Sequence, residues 1–122
     1  MKFTFNHFNF NVHDLQKSTS FYKEALGLTE VRRKEASDGS YTLVYLGDGE
    51  TDFSLELTWL KERTELYDLG EQEFHLAMAV DNYEEAFKKH QAMNCIEFIN
   101  ETIGIYFITD PDGYWIEIVR KK

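Results

Sequence analysis

The chain repeats itself. Its residues predict the order strand, helix, three strands, and the same order returns after about 60 residues. The first copy opens on an alternating run, "FTFNHFNFNV", and continues into "HDLQKSTSFYKEALGL". There Asp14 is placed to cap a helix, Leu15, Ser18, Tyr22, Ala25 and Leu26 keep a helical stripe, and Gly27 is a suitable stop. Three strands are expected in "TEVRRKEA", "YTLVYLG" and "DFSLELTWL", parted by the turn residues of "SDGS" and "GDGETD".

The second copy opens on "EFHLAMAV" and passes into "DNYEEAFKKHQAM". Asp81, with Glu84 three residues on, reads as a capping box, and Tyr83, Ala86 and Phe87 form the apolar side of the helix. The strands "CIEFINE", "IGIYFIT" and "YWIEIVR" follow, the last two joined by "DPDG", where Pro111 suits the second turn position and Gly113 the fourth. The expected organisation is one domain over residues 1–122, with module 1 at about 1–60 and module 2 at about 72–122.

Superposing the copies matches two pairs of residues. "HFNFNV" from His7 aligns with "HLAMAV" from His75, and "LEL" around Glu56 aligns with "IEI" around Glu117. Strand alternation puts Phe8, Phe10 and Val12 on one face and His7 on the other; Leu76, Met78 and Val80 are likewise separated from His75. The apolar faces should pack on the helices, leaving His and Glu on the opposite side of each sheet. Glu117 is the most demanding of the four. Its own face carries Trp115 and Val119, and an unpaired carboxylate in apolar surroundings needs a proton, a cation or a metal. Two imidazoles and two carboxylates at equivalent points form an N₂O₂ set suited to a divalent metal with open positions. Without Cys in the set, a structural zinc site is disfavoured; Ni²⁺ or Co²⁺ suits it best, with Mn²⁺ or Zn²⁺ also compatible.

Other residues receive plainer readings. His13 and His90 are expected to be solvated, Cys95 a small buried hydrophobe, and Trp59 and Trp115 core or pocket wall. A net charge of −9 disfavours nucleic acid and anionic membranes as partners. A single cysteine precludes an internal disulfide and fits a reducing, cytoplasmic setting. "MKFTFNHFNF" lacks the apolar core of a signal peptide, and no stretch reaches membrane-spanning length.

On "FNVHDLQKSTSFYKEALGL", "LELTW", "HLAMAVDN" and "DPDGYWIEIV" together, the chain resembles the vicinal oxygen chelate superfamily, and within it the glyoxalase I family. The resemblance implies an α+β fold in which two tandem βαβββ modules form a curved mixed sheet, commonly in a homodimer with composite sites. It carries the metal ligands onto His7, Glu56, His75 and Glu117. It also implies a lyase or isomerase acting on a small molecule, the hemithioacetal of methylglyoxal and a thiol. The metal would hold two vicinal substrate oxygens and stabilise an enediolate, with Glu117 as the base and Glu56 as the second acid/base group. Family members that use glutathione usually carry an arginine four residues after the first His and an asparagine four residues after the first Glu; this chain has Asn11 and Leu60. Other expectations within the same fold are an epimerase, a thiol transferase, or a non-catalytic dimer that sequesters antibiotics or other small molecules.

Overall fold

A computed structural model describes all residues 1–122. The chain divides into two compact units, Met1–Tyr67 and Asp68–Lys122. Each is one βαβββ module with its own four-stranded mixed sheet.

In the first module β1 (His7–Asn11) leads into α1 (Leu15–Leu26), followed by β2 (Thr29–Glu35), β3 (Tyr41–Gly47) and β4 (Ser54–Leu60). The sheet order is β1-β4-β3-β2, with β1 parallel to β4 and the other neighbours antiparallel. Asp14 caps α1 by accepting from the Lys17 amide, as the sequence predicts. Gly27 ends the helix at φ +69, where its amide donates to the carbonyl of Lys23. The core comprises Phe10, Val12, Val44, Leu46, Leu55 and Leu57 from the sheet side, Tyr22 and Ala25 from the helix stripe, and Leu28 just after the helix.

The second module repeats the plan with β5 (Leu76–Val80), α2 (Tyr83–Ala92), β6 (Ile96–Asn100), β7 (Ile105–Thr109) and β8 (Trp115–Arg120), in the order β5-β8-β7-β6. Here β5 runs parallel to β8. Tyr106 anchors the helix to the sheet: the rings of Tyr83, Phe87 and His90 all pack on it. Ile108, Ile116 and Ile118 complete that core. In the turn before β8, the Gly113 amide donates to the Asp110 carbonyl, and the Asp110 carboxylate accepts from the amides of Asp112 and Tyr114.

Three expectations require correction. The opening run does not form one long strand: β1 begins at His7, and Phe3 and Phe5 lie exposed. The strand it pairs with explains this, because His7 stands opposite Ser54 and the residues before Ser54 belong to a turn. The cap of α2 is Asn82 rather than Asp81; its side-chain oxygen accepts from the Glu85 amide and its nitrogen donates to the Glu85 carboxylate. His90 is 2% exposed, not solvated, and its Nδ1 lies 2.7 Å from the Tyr106 hydroxyl. An imidazole satisfied by a phenol can occupy a core that the charged neighbours Lys88 and Lys89 had led away from. Burial in turn pushes the Tyr106 phenol well above the ordinary tyrosine range. No helix is long and apolar enough to cross a membrane.

Replacing Gly27 by Ala should cost about 1–2 kcal/mol, since nothing lies within 4 Å of the added methyl and only the left-handed backbone resists it. Denaturant titration should show a lower midpoint at unchanged slope.

Candidate functional site

Register sets the neighbours of each carboxylate. Glu56 stands between Asn9 of β1 and Tyr45 of β3, and Glu117 stands between Ala77 of β5 and Phe107 of β7. Each lies on the sheet face opposite the core. Two residues earlier along the neighbouring parallel strand comes the His of the same module. In the first module His7 Nε2 is 3.6 Å from Glu56 Oε1; in the second, His75 Nε2 is 3.1 Å from Glu117 Oε1.

The equivalence extends to the aromatic beside each pair. His7 meets the Tyr45 ring edge-on at 5.5 Å, and His75 meets the Phe107 ring in the same way at 5.1 Å. Superposing the third strands, "YTLVYLG" on "IGIYFIT", puts Tyr45 on Phe107, so the alignment that matched the ligands also contained this pair. Sequence reading passed over it because "VY" and "YF" both read as core strand.

The environments nevertheless differ. The Tyr45 hydroxyl donates to Glu56 Oε2 at 2.8 Å, and the Arg32 guanidinium lies 4.8 Å above the same ring. The Glu56 side chain is 12% exposed, against 19% for Glu117. Glu56 shares its face with the polar Ser54 and Thr58, yet it is the more enclosed carboxylate, and its compensation is a phenol. The bond to Glu56, aided by burial, raises the Tyr45 phenol above its usual range, with the nearby Arg32 opposing. Glu117 is surrounded on its face by Ala77, Phe107, Trp115 and Val119, and its hydrogen-bond partner is His75.

His7 carries a further constraint. Its Nδ1 is 2.6 Å from Asn6 Oδ1 and its Nε2 faces Glu56. An N–H at Nδ1 donating to that acceptor leaves the Nε2 lone pair for a metal. Donors bound to one ion at about 2.0–2.2 Å, with angles between octahedral and tetrahedral, stand about 3–3.6 Å apart. Both His–Glu separations fall at that spacing, so each pair fits two neighbouring positions of one coordination sphere. In neither module do three or more His, Cys, Asp or Glu side chains gather. Each module therefore offers one such His–Glu pair.

Asn11 lies in a polar ladder, its Oδ1 accepting from Asn9 Nδ2, while the Asn9 Oδ1 accepts from the Thr58 hydroxyl. Leu60 ends β4 and is partly exposed. Among the other candidates, His13 is exposed with its Nε2 3.0 Å from the Thr64 carbonyl, and Cys95 is buried, as expected.

Residues 4–118 match the family model of the Glyoxalase/Bleomycin resistance protein/Dioxygenase superfamily. The chain belongs to that superfamily. Among its members, the lactoylglutathione lyase of Neisseria meningitidis serogroup A is 41% identical over 126 residues, covering 95% of this chain and 89% of that one. The lactoylglutathione lyase of Salmonella typhimurium is 36% identical over 124 residues, covering 95% and 91%. Within the superfamily's solved structures, the trypanothione-dependent glyoxalase I of Leishmania major superposes with a TM-score of 0.85 at 31% identity, covering 98% of this chain and 87% of that one.

Replacing Asn6 by Ala should release the His7 tautomer and weaken uptake of a divalent ion about 10-fold, measured by calorimetric titration with Zn²⁺ or Co²⁺.

Proposed function

We propose that this superfamily member is a metal-dependent lyase of the glyoxalase I type, converting the hemithioacetal of methylglyoxal and a thiol into the S-lactoyl thioester. Both modules set an imidazole Nε2 against a carboxylate oxygen at the same place in the fold, and that repetition carries the reading. Substantial identity to lactoylglutathione lyases along most of the chain supports it.

His7, Glu56, His75 and Glu117 are the ligands in this proposal. A divalent ion there, Ni²⁺ or Co²⁺ by preference, would act as a Lewis acid on the two vicinal substrate oxygens and stabilise the negative charge that develops on them. Glu117 is the base. It takes the proton from the carbon bearing the sulfur and returns it to the neighbouring carbon, while the hydroxyl proton of the first carbon passes to the oxygen of the second, so the carboxylate is unchanged at the end and no outside oxidant enters. Trp115 and Phe107, packed at 5.3 Å, form an apolar wall that would help exclude water. Glu56 serves as the second acid/base group or as a ligand only.

The proposed assembly is a homodimer, as the family resemblance implies. The lone buried Cys95 suits a reducing, cytoplasmic setting.

The thiol is the second question. Asn11 and Leu60 stand where glutathione-using relatives are expected to carry Arg and Asn, and Leu60 has no side-chain hydrogen bond to give. The thiol in this proposal is glutathione or another thiol.

Glu117→Gln should lower kcat by about 10²–10⁴ in a hemithioacetal isomerisation assay with added metal, with the thermal transition little changed. Asn11→Arg should raise kcat/KM for the glutathione hemithioacetal about 10-fold or more, the worth of a charge-assisted hydrogen bond to a substrate carboxylate; no gain would indicate that the tripeptide does not lie along β1.

A further inference from the structure

The two modules are matched at the ligands, at the flanking strands and at the aromatic ring that meets each His. At that ring they differ by one oxygen atom. Tyr45 places a hydroxyl on Glu56 Oε2, and Phe107, at the equivalent point, has none to place on Glu117.

We propose that Tyr45 is a positioning residue that gives the two carboxylates different work, holding Glu56 as a stationary ligand and leaving Glu117 to move. The proposal rests on the glyoxalase-type reading of the site, and it assigns a role that reading left undecided. Tyr45 itself is held on several sides. Its ring lies under the Arg32 guanidinium, its edge meets His7, and its hydroxyl ends on Glu56. Register permits little else, since Tyr45 and Glu56 are directly paired on adjacent antiparallel strands. One carboxylate oxygen is thereby engaged and Oε1 remains turned toward His7 Nε2. A carboxylate fixed at one oxygen presents the other at constant direction, which favours a monodentate ligand and opposes the swing a proton shuttle needs.

Glu117 lacks that restraint. Its partner is His75, at 3.1 Å, on a side chain that is itself 40% exposed. With His75 engaged elsewhere, Glu117 would keep no hydrogen bond from its own face, where Ala77, Phe107 and Val119 have no side-chain donor and the Trp115 indole makes none to it. A carboxylate so placed would be free to take a proton from substrate and give it back. The inequivalence of the two glutamates is therefore built into the third strand of each module rather than into the ligands.

Four proteins test this: wild type, Tyr45→Phe, Phe107→Tyr and the double exchange. All are isosteric to within one hydroxyl, and circular dichroism with thermal unfolding checks their folds. The first measurement is Co²⁺ or Zn²⁺ affinity by calorimetric titration, which needs no turnover. Tyr45→Phe should bind about 10-fold more weakly, as expected when the group that orients a ligand is removed. Phe107→Tyr should bind at least as tightly as wild type while kcat for a hemithioacetal falls about 10-fold or more at little-changed KM, because the new hydroxyl tethers Glu117. Unchanged affinity in Tyr45→Phe, or unchanged kcat in an active Phe107→Tyr, overturns the proposal. If wild type binds the ion but isomerises no hemithioacetal, the functional reading fails and the affinity ratio alone decides the role of Tyr45. A wild-type chain that takes up no ion overturns both.

Discussion

In each module the first strand lies parallel to the last, and a parallel pair cannot be closed by a tight turn. The helix and two further strands occupy the long return. That connection puts Ser54 beside His7 and, two residues along the same face, Glu56 within reach of the imidazole. It does the same for His75, two residues before the Ala77 that pairs with Glu117. The His–Glu pairs are thus a consequence of how a βαβββ unit closes, although about 50 residues separate the partners in the first module and about 40 in the second.

Strand alternation then divides the work between faces. Phe10, Val12, Leu55 and Leu57 on one side, and Ile116 and Ile118 in the other module, are buried against the helices. Burying such side chains is worth about 1.5–3 kcal/mol each, which is what makes the register secure. A slip by one residue would expose the core set and bury the ligands, so the same hydrophobic term that stabilises the sheets also aims the carboxylates. The polar residues facing away can be spared for chemistry because stability does not rest on them.

Much of this was readable before any coordinates. The repeat, both helix stripes, the Asp14 cap, the Gly27 stop and the His–Glu correspondence rest on local periodicity and on self-comparison, which a single chain contains. What escaped depends on partners distant in sequence. Phe3 and Phe5 alternate like strand residues, but β4 has no residues left to pair with them. His90 sits among lysines in sequence and against Tyr106 in space. Glu117 drew notice through Trp115 and Val119, its neighbours in sequence, whereas the closer enclosure of Glu56 comes from the neighbouring β3, through Tyr45. Periodicity reveals which face a side chain occupies, not who stands beside it.

The account's central claim is that the His–Glu pair of each module ligates a divalent ion. X-ray absorption at the edge of bound Ni²⁺ or Zn²⁺, in wild type beside His7→Ala and His75→Ala, tests it directly. Imidazole nitrogen and carboxylate oxygen in the first sphere, with nitrogen lost in each variant, is the predicted result. A first sphere that neither substitution alters would contradict it.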